Sequence, residues 1–373
     1  MRTRISAPLV VGAVLAVLTA APALAAVATS PAPSSTVVGP VLHSVQAGDR
    51  LYIGGSFTRV DGSPHAGLAA ISATTGVRDP GFRVDVNGTV HALATDGTNI
   101  YIGGTFTTVG GVARTNLAAV TPSGQVLSGF NPRPSSTVES LAFAQDGTLY
   151  VGGAFKAIAG VNRPFLAALD AATGTLRTAF DPRPNALVHV VTASGGQVYV
   201  GGKFTTIDGV GRSYVALLDA AGAVQPYNPR LAFDSQVFDV VSTDAGVYLA
   251  TGGHLPAGNS VYATAPETGD QRWQQSFDGD VEAVEVVGAD VYAGGHFNYV
   301  CFAATRTTCQ IDFSSRKAAV MDAVTGQARR FATFDSAHGI RDLTTAGGNL
   351  FVGGEFTQVN GSNQAGVARF PIS

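Results

Sequence analysis

The side chains with the widest chemical reach in this chain recur at one position. Counted back from a repeated Gly-Gly pair, His43, His91, Glu139, His189, Phe238, Glu282 and Arg341 come into register along the sequence. Six of the seven carry an imidazole, a carboxylate or a guanidinium. Three neutral imidazoles with two carboxylates can ligate a divalent metal or orient a polar ligand. His91, Glu139, His189 and Glu282 are the expected set if a metal binds; His43 and Arg341 complete the ligand-binding set. The first copy carries three extra residues between Val37 and its Gly pair, relative to Val138, so His43 is placed across an insertion. A ring of polar groups around water would give the same pattern without any activity and is the plainer reading, so the register offers a candidate ligand-binding set and assigns no catalytic residue.

The Gly pair belongs to a repeat, Gly-Gly-x-Phe, seen at Gly54, Gly103, Gly152, Gly201, Gly252, Gly294 and Gly353, with Leu255 replacing Phe in the fifth copy. The steps between copies are 49, 49, 49, 51, 42 and 59 residues. Inside a copy the hydrophobic period is two, broken by turn residues, which marks short antiparallel strands. In the second copy, residues 90–94, 100–109, 117–121 and 126–130 read as four strands, ended by Asn131-Pro132-Arg133-Pro134. Four strands every 40–50 residues, repeated, predict an all-β fold: a seven-bladed β-propeller of four-stranded antiparallel blades. The blades fall near 41–88, 89–136, 137–186, 187–235, 236–279, 280–337 and 338–373, in one domain spanning 26–373. The last copy lacks a fourth strand, and Ser30 to Val37 matches Asn131 to Val138 at six of eight positions. Residues 26–37 are therefore expected to close the ring, with residues near 26–29 as the missing outer strand. The Gly pairs allow close backbone approach between blades, and the Phe fills the space between sheets.

The unit Ile100-Tyr101-Ile102-Gly103-Gly104-Thr105-Phe106, followed by Leu117-Ala118-Ala119-Val120 and Gly129-Phe130-Asn131-Pro132, resembles the delta-60 repeat family of secreted bacterial β-propellers. That family is similar to quinoprotein propellers, echoed here by Leu169-Asp170-Ala171-Ala172-Thr173-Gly174. The resemblance implies the propeller fold and carries no catalytic residues. Quinoprotein enzymes tend to carry one Trp in each blade and an adjacent cysteine pair, whereas this chain has a single Trp, Trp273, and no such pair. A quinone cofactor is not expected; a divalent metal is the cofactor the ring could hold.

Residues 1–25 read as a secretory signal peptide: Arg2 and Arg4, an apolar run from Leu9 to Leu18, then Ala23-Leu24-Ala25. Its removal takes the formal charge from -3 to -5. No later stretch is long and apolar enough for a membrane span, and no basic cluster suggests nucleic acid. Cys301 and Cys309 are expected to form a disulfide in an oxidising compartment, and their loop to rise beside the channel mouth. Glu282 and Glu285 are expected on opposite sides of a strand by alternation. The position after each Gly pair (Ser56, Thr105, Ala154, Lys203, His254, His296, Glu355) reads as solvent-facing. Asn87-Gly88-Thr89 and Asn360-Gly361-Ser362 match the glycosylation pattern. No G-x-S-x-G, H-E-x-x-H or phosphate-loop motif is present. The expectation is a secreted monomer that binds an extracellular protein or cell-wall carbohydrate; the alternative is a metal-dependent hydrolase or lactonase-like propeller using the His/Glu ring.

Overall fold

The computed structural model describes residues 25–232, 235–254, 256–305 and 308–373. The predicted signal segment, apart from Ala25, and Leu255 lie outside the described residues. Strands run from Val37 to Pro371, and the one helical element among the described residues is a single 3-10 turn, Pro256–Gly258. Seven sheets share one plan, an up-and-down antiparallel order in which the second strand is central. In the second sheet these strands are Thr89–Thr95, Ile100–Thr105 and Leu117–Val120; in the sixth they are Val281–Val287, Asp290–Gly295 and Ala318–Asp322. The first strands touch one another in cyclic order, and Ile340–Ala346 of the last sheet packs against Val41–Ala47 of the first. Sheets arranged radially around an axis in this way make a β-propeller.

The Gly pairs recur because each glycine meets backbone or a neighbouring sheet. A Cβ on Gly103 would lie 2.5 Å from Val138 Cγ1 of the next sheet, and one on Gly104 would lie 2.1 Å from the Thr89 carbonyl oxygen. Gly54 faces Val90 and Gly152 faces Val188 in the same manner. The following Phe residues, among them Phe57, Phe155 and Phe204, are buried between sheets. The fifth sheet departs from the expected alignment: Val237 pairs with Thr251 and Asp239 with Ala250, so Ala250-Thr251 occupies the place of the pair. Gly252-Gly253 sits two residues further on.

The expected fourth strand is formed as such only in part. Gln271–Phe277 and Ala328–Arg330 are fourth strands of the fifth and sixth sheets. In the first four sheets the segment makes one bridge, such as Val126 to Val120, and then turns. The turn drives an aromatic ring inward against the tyrosine of the central strand. Phe82 meets Tyr52 at 5.1 Å, Phe130 meets Tyr101 at 5.4 Å and Phe180 meets Tyr150 at 5.1 Å, all edge to face. Burying that ring outweighs extending a ladder at the outer edge. Likewise residues 100–109 do not form one strand, because a small hairpin, Thr108–Val109 with Val112–Ala113, follows Thr105.

At the last sheet, the N-terminal segment lies along Val367–Pro371. Ala28 donates to the Pro371 carbonyl at 2.8 Å, Ala32 to Arg369 at 2.8 Å, and Ser373 to Ala26 at 2.9 Å. A side chain between sheets also clips five of the loop hairpins: Asn87, Ser135, Asn185, Asp278 and Asp335 each accept two successive N–H groups of the next hairpin. Asn87 of the first sequon thus has a structural task in this contact. Asn360 is also engaged, accepting from Thr333 and donating to the Thr29 carbonyl at 3.0 Å.

Candidate functional site

A repeated irregularity builds the channel mouth. In the second sheet Val90 pairs with Gly104 and Ala92 with Gly103, which leaves His91 without a ladder partner. The same one-residue bulge frees Leu42, Glu139, His189, Phe238, Glu282 and Arg341 in the other sheets. A bulge releases one residue from pairing and re-aims its side chain. Here all seven line one central cavity of about 200 Å3. A hollow of about 800 Å3 on the outer side, near Asn131 and Thr173, is larger but is lined by turn residues with Arg133 as its one charged group.

Two sequence expectations change. The first-sheet member of the ring is Leu42, because the extra residues of that copy precede the strand, which starts at Val41, and the count inside the strand is that of the second copy. His43 pairs with Gly54 and lines the cavity one step further along. Glu282 and Glu285 are not separated by alternation: the bulge at Glu282 resets the pleat, and both face the cavity.

At the mouth, His91 Nδ1 lies 3.9 Å from Glu139 Oε2. His189 Nε2 is 3.2 Å from Gln236 Oε1, and its ring stacks obliquely on Phe238 at 5.1 Å. Burial pulls the His189 proton affinity down to about 4 and lowers that of His91, against the pull of Glu139. Both imidazoles are thus neutral at neutral pH. Arg341 donates to Glu282 Oε1 at 2.6 Å, and His296 Nδ1 lies 3.5 Å from the same oxygen. That hydrogen bond raises the pKa of His296. His91, Glu139, His189 and Glu282 do not gather as one set; among the described residues the three donors within 4.8 Å of one another belong to Asp280, Glu282 and His296. The position after the Gly pair is therefore not uniformly outward drift, since His296 reaches Glu282 and Thr105 Oγ1 stands 3.5 Å from His91 Nε2.

A second layer, one residue past the bulge, escaped sequence reading. Ser140 Oγ accepts from Val191 N–H at 3.0 Å, Asp239 Oδ2 from Val284 N–H at 2.9 Å, and Asp342 Oδ2 from the Ser44 hydroxyl at 2.5 Å. Each acceptor reaches the residue two past the bulge of the next sheet, so the layer ties first strands together, and Asp342 ties the last to the first. Burial raises Asp239 to about 7 and Glu285 to about 8, each pushed further by neighbouring carboxylates, and raises Asp342 as well. The signal for this layer was adjacency to the register, as in Phe238-Asp239 and Arg341-Asp342.

The cysteine loop is a hairpin, Tyr299–Ala304 with Cys309–Ser314, crossed by the Cys301–Cys309 disulfide with Cα atoms 5.5 Å apart. Phe277 pairs with Val300 and Ser276 with Cys301, so the hairpin extends the outer edge of the fifth sheet. It does not rise beside the channel mouth, because main-chain pairing to the preceding sheet draws it to the rim. Tyr299, Phe302 and Ile311 on it are exposed, Phe302 to 68%.

An all-β ring with a polar, bulge-lined channel and a stapled rim hairpin defines a β-propeller with an elaborated loop face. Residues 113–366 match the family described as outer membrane protein assembly factor BamB, and the chain belongs to that family. The chain resembles the crystal structure of the WD40 β-propeller domain of Doa1 at 14% identity and a TM-score of 0.54, over 94% of this chain and 96% of that one. It resembles the computationally designed Ika8 protein at 14% identity and a TM-score of 0.53, over 93% of this chain and all of the other. The extracellular domain of a protein titled a one component system from B. thetaiotaomicron gives 14% identity and a TM-score of 0.52, over 91% of this chain and 39% of that one. These likenesses concern the fold. A search of curated proteins finds no match.

Proposed function

We propose that this is a secreted, seven-bladed propeller of four-stranded plan, its last sheet completed by residues 26–37, and that it serves as a binding or scaffold module for an extracellular protein. A cell-wall carbohydrate is the second ligand class the polar mouth could accept. The observation that carries the reading is the rim hairpin. Three large apolar side chains, Tyr299, Phe302 and Ile311, stand in water on one short element that is crossed by a disulfide and paired to the fifth sheet. Exposed apolar groups gathered on one element mark contact surfaces, and loops on a fixed scaffold are where propellers carry function. The disulfide and the absence, among the described residues, of a helix able to cross a membrane accord with a secreted protein.

The test uses a photoreactive residue at position 302 in the protein secreted by its own host, with peptidoglycan sedimentation alongside. A single discrete protein adduct, lost in Ile311→Ser and kept in His91→Ala, is the expected result. Sedimentation with peptidoglycan and no adduct would move the reading to carbohydrate. The absence of both an adduct and sedimentation would refute it. Phe302→Ser should leave the Tm within about 1 °C, because an exposed side chain contributes little to folding.

A further inference from the structure

We infer that Asp280, Glu282 and His296 form a site for a divalent transition metal at the channel rim of the sixth sheet. One donor atom of each lies within 4.8 Å of the others. Donors around a single ion with bonds of about 2.0–2.2 Å stand roughly 3–4 Å apart, so small side-chain rotations complete the set.

The independent observation is an orphaned oxygen. The Glu282 side chain is only 8% exposed. Its Oε1 receives Arg341 at 2.6 Å, while its Oε2 is buried with no hydrogen-bond partner. A buried carboxylate oxygen without a donor is costly, and such atoms in folded proteins are served by water or an ion. The guanidinium stays on the other oxygen, and Lys317 is occupied by the His296 carbonyl at 3.0 Å.

The other two ligands are held in place by the backbone. Val281 pairs with Gly295, which sets Asp280 and His296 side by side at the ends of adjacent strands, and His296 N–H donates to the Asp280 carbonyl at 3.1 Å. Asp280 Oδ1 accepts from Gly253 N–H at 3.0 Å, an outer contact of the kind that orients metal ligands. One nitrogen and two carboxylates suit zinc or manganese better than calcium, which takes six to eight oxygens. The combination occurs in one sheet alone: where the sixth has Asp280 and His296, the second has Thr89 and Thr105, the third Thr137 and Ala154, and the fourth Leu187 and Lys203. A repeat scaffold does not need these residues, and one copy has acquired all three.

The inference does not depend on what the rim hairpin binds, and either can fail alone. The experiment is calorimetric titration of the full secreted chain, freed of metal by chelation, with zinc chloride and separately manganese chloride. Expected are one ion per chain and a loss of roughly tenfold or more in affinity in both His296→Ala and Asp280→Asn, with His91→Ala unchanged. His296 is exposed and Asp280 half-buried, and circular dichroism checks that both variants fold. No saturable binding of either ion, binding that both variants leave intact, or an equal loss in His91→Ala would overturn the site.

Discussion

Replacing Asp239 by Asn is expected to alter how stability depends on pH more than it alters stability itself. The Asp239 carboxyl is buried, accepts N–H groups from Val240 at 2.8 Å and Val284 at 2.9 Å, and shares the channel with Glu285 and Asp342. Its pKa rises from 3.8 to about 7 on folding, chiefly by desolvation. A carboxyl whose folded pKa is raised holds its proton more tightly in the native state, so its contribution is full below the unfolded pKa and is lost as pH rises through the folded one. Between pH 5 and pH 8 that loss amounts to about 2.7 kcal/mol, taking about 1.36 kcal/mol for each tenfold change in proton affinity.

The opposite sign applies to His189, whose pKa of about 4 lies below its unfolded value, so its contribution is lost as pH falls. It cancels when wild type and Asp239→Asn are compared at each pH. Asn can serve one of the two N–H groups and not both, which sets an offset of about 1–2 kcal/mol against the variant at pH 5. The variant should then gain on wild type by about 2.7 kcal/mol by pH 8, and by more where relief of Glu285 adds to it. Urea unfolding followed by fluorescence of the single tryptophan, Trp273, at fixed ionic strength, measures the difference directly. A difference that stays constant from pH 5 to pH 8 would refute the argument, since it would mean that Asp239 does not carry a native-state proton in this range.

Gly103→Ala places a methyl group 2.5 Å from Val138 Cγ1, so the second and third sheets must part; a loss of about 1–3 kcal/mol is expected in the same assay, whereas Gly97→Ala, with open space around it but a left-handed φ of 88°, should lose about 1 kcal/mol by strain alone. Deleting residues 26–36 removes the main-chain bonds to Arg369, Pro371 and Ser373 and should lower the Tm by roughly 5–10 °C by calorimetry; an unchanged Tm would mean that the ring closes without that segment.

The repeat was legible because its cause is local and steric. Gly103 and Gly104 each face an atom that forbids a side chain, so the same two residues return wherever that packing returns. The bulge next to them is different. It leaves Leu42, His91, Phe238 and Arg341 free of the ladder, and no residue type is shared among them, so the only handle is distance to the Gly pair. That handle slipped by one at His43, where the extra residues lie outside the strand, and the pair itself was displaced in the fifth sheet by Ala250-Thr251. The fourth strand was overread because a period of two says where a chain can pair, and the contact of Phe130 with Tyr101, which ends the pairing, joins residues far apart in sequence. The sheet that the cysteine hairpin joins was hidden for the same reason: Phe277 and Val300 meet only in the folded ring.

One extra residue in each first strand therefore does two jobs. The bulged side chain, freed from the ladder, turns to the channel and is open to change, which is why His, Glu, Arg, Phe and Leu all occur there. The next residue lies against the neighbouring sheet, and in the third, fifth and seventh sheets it is Ser140, Asp239 or Asp342, each accepting a hydrogen bond from the next first strand. Chemistry at the mouth can thus vary without loosening the ring, because the groups that face the channel and the groups that hold the sheets together sit on adjacent residues with opposite constraints. The sixth sheet, with Asp280 and His296 beside the bulged Glu282, shows how far one copy can diverge while Val284 N–H still rests on Asp239 and the ring stays closed.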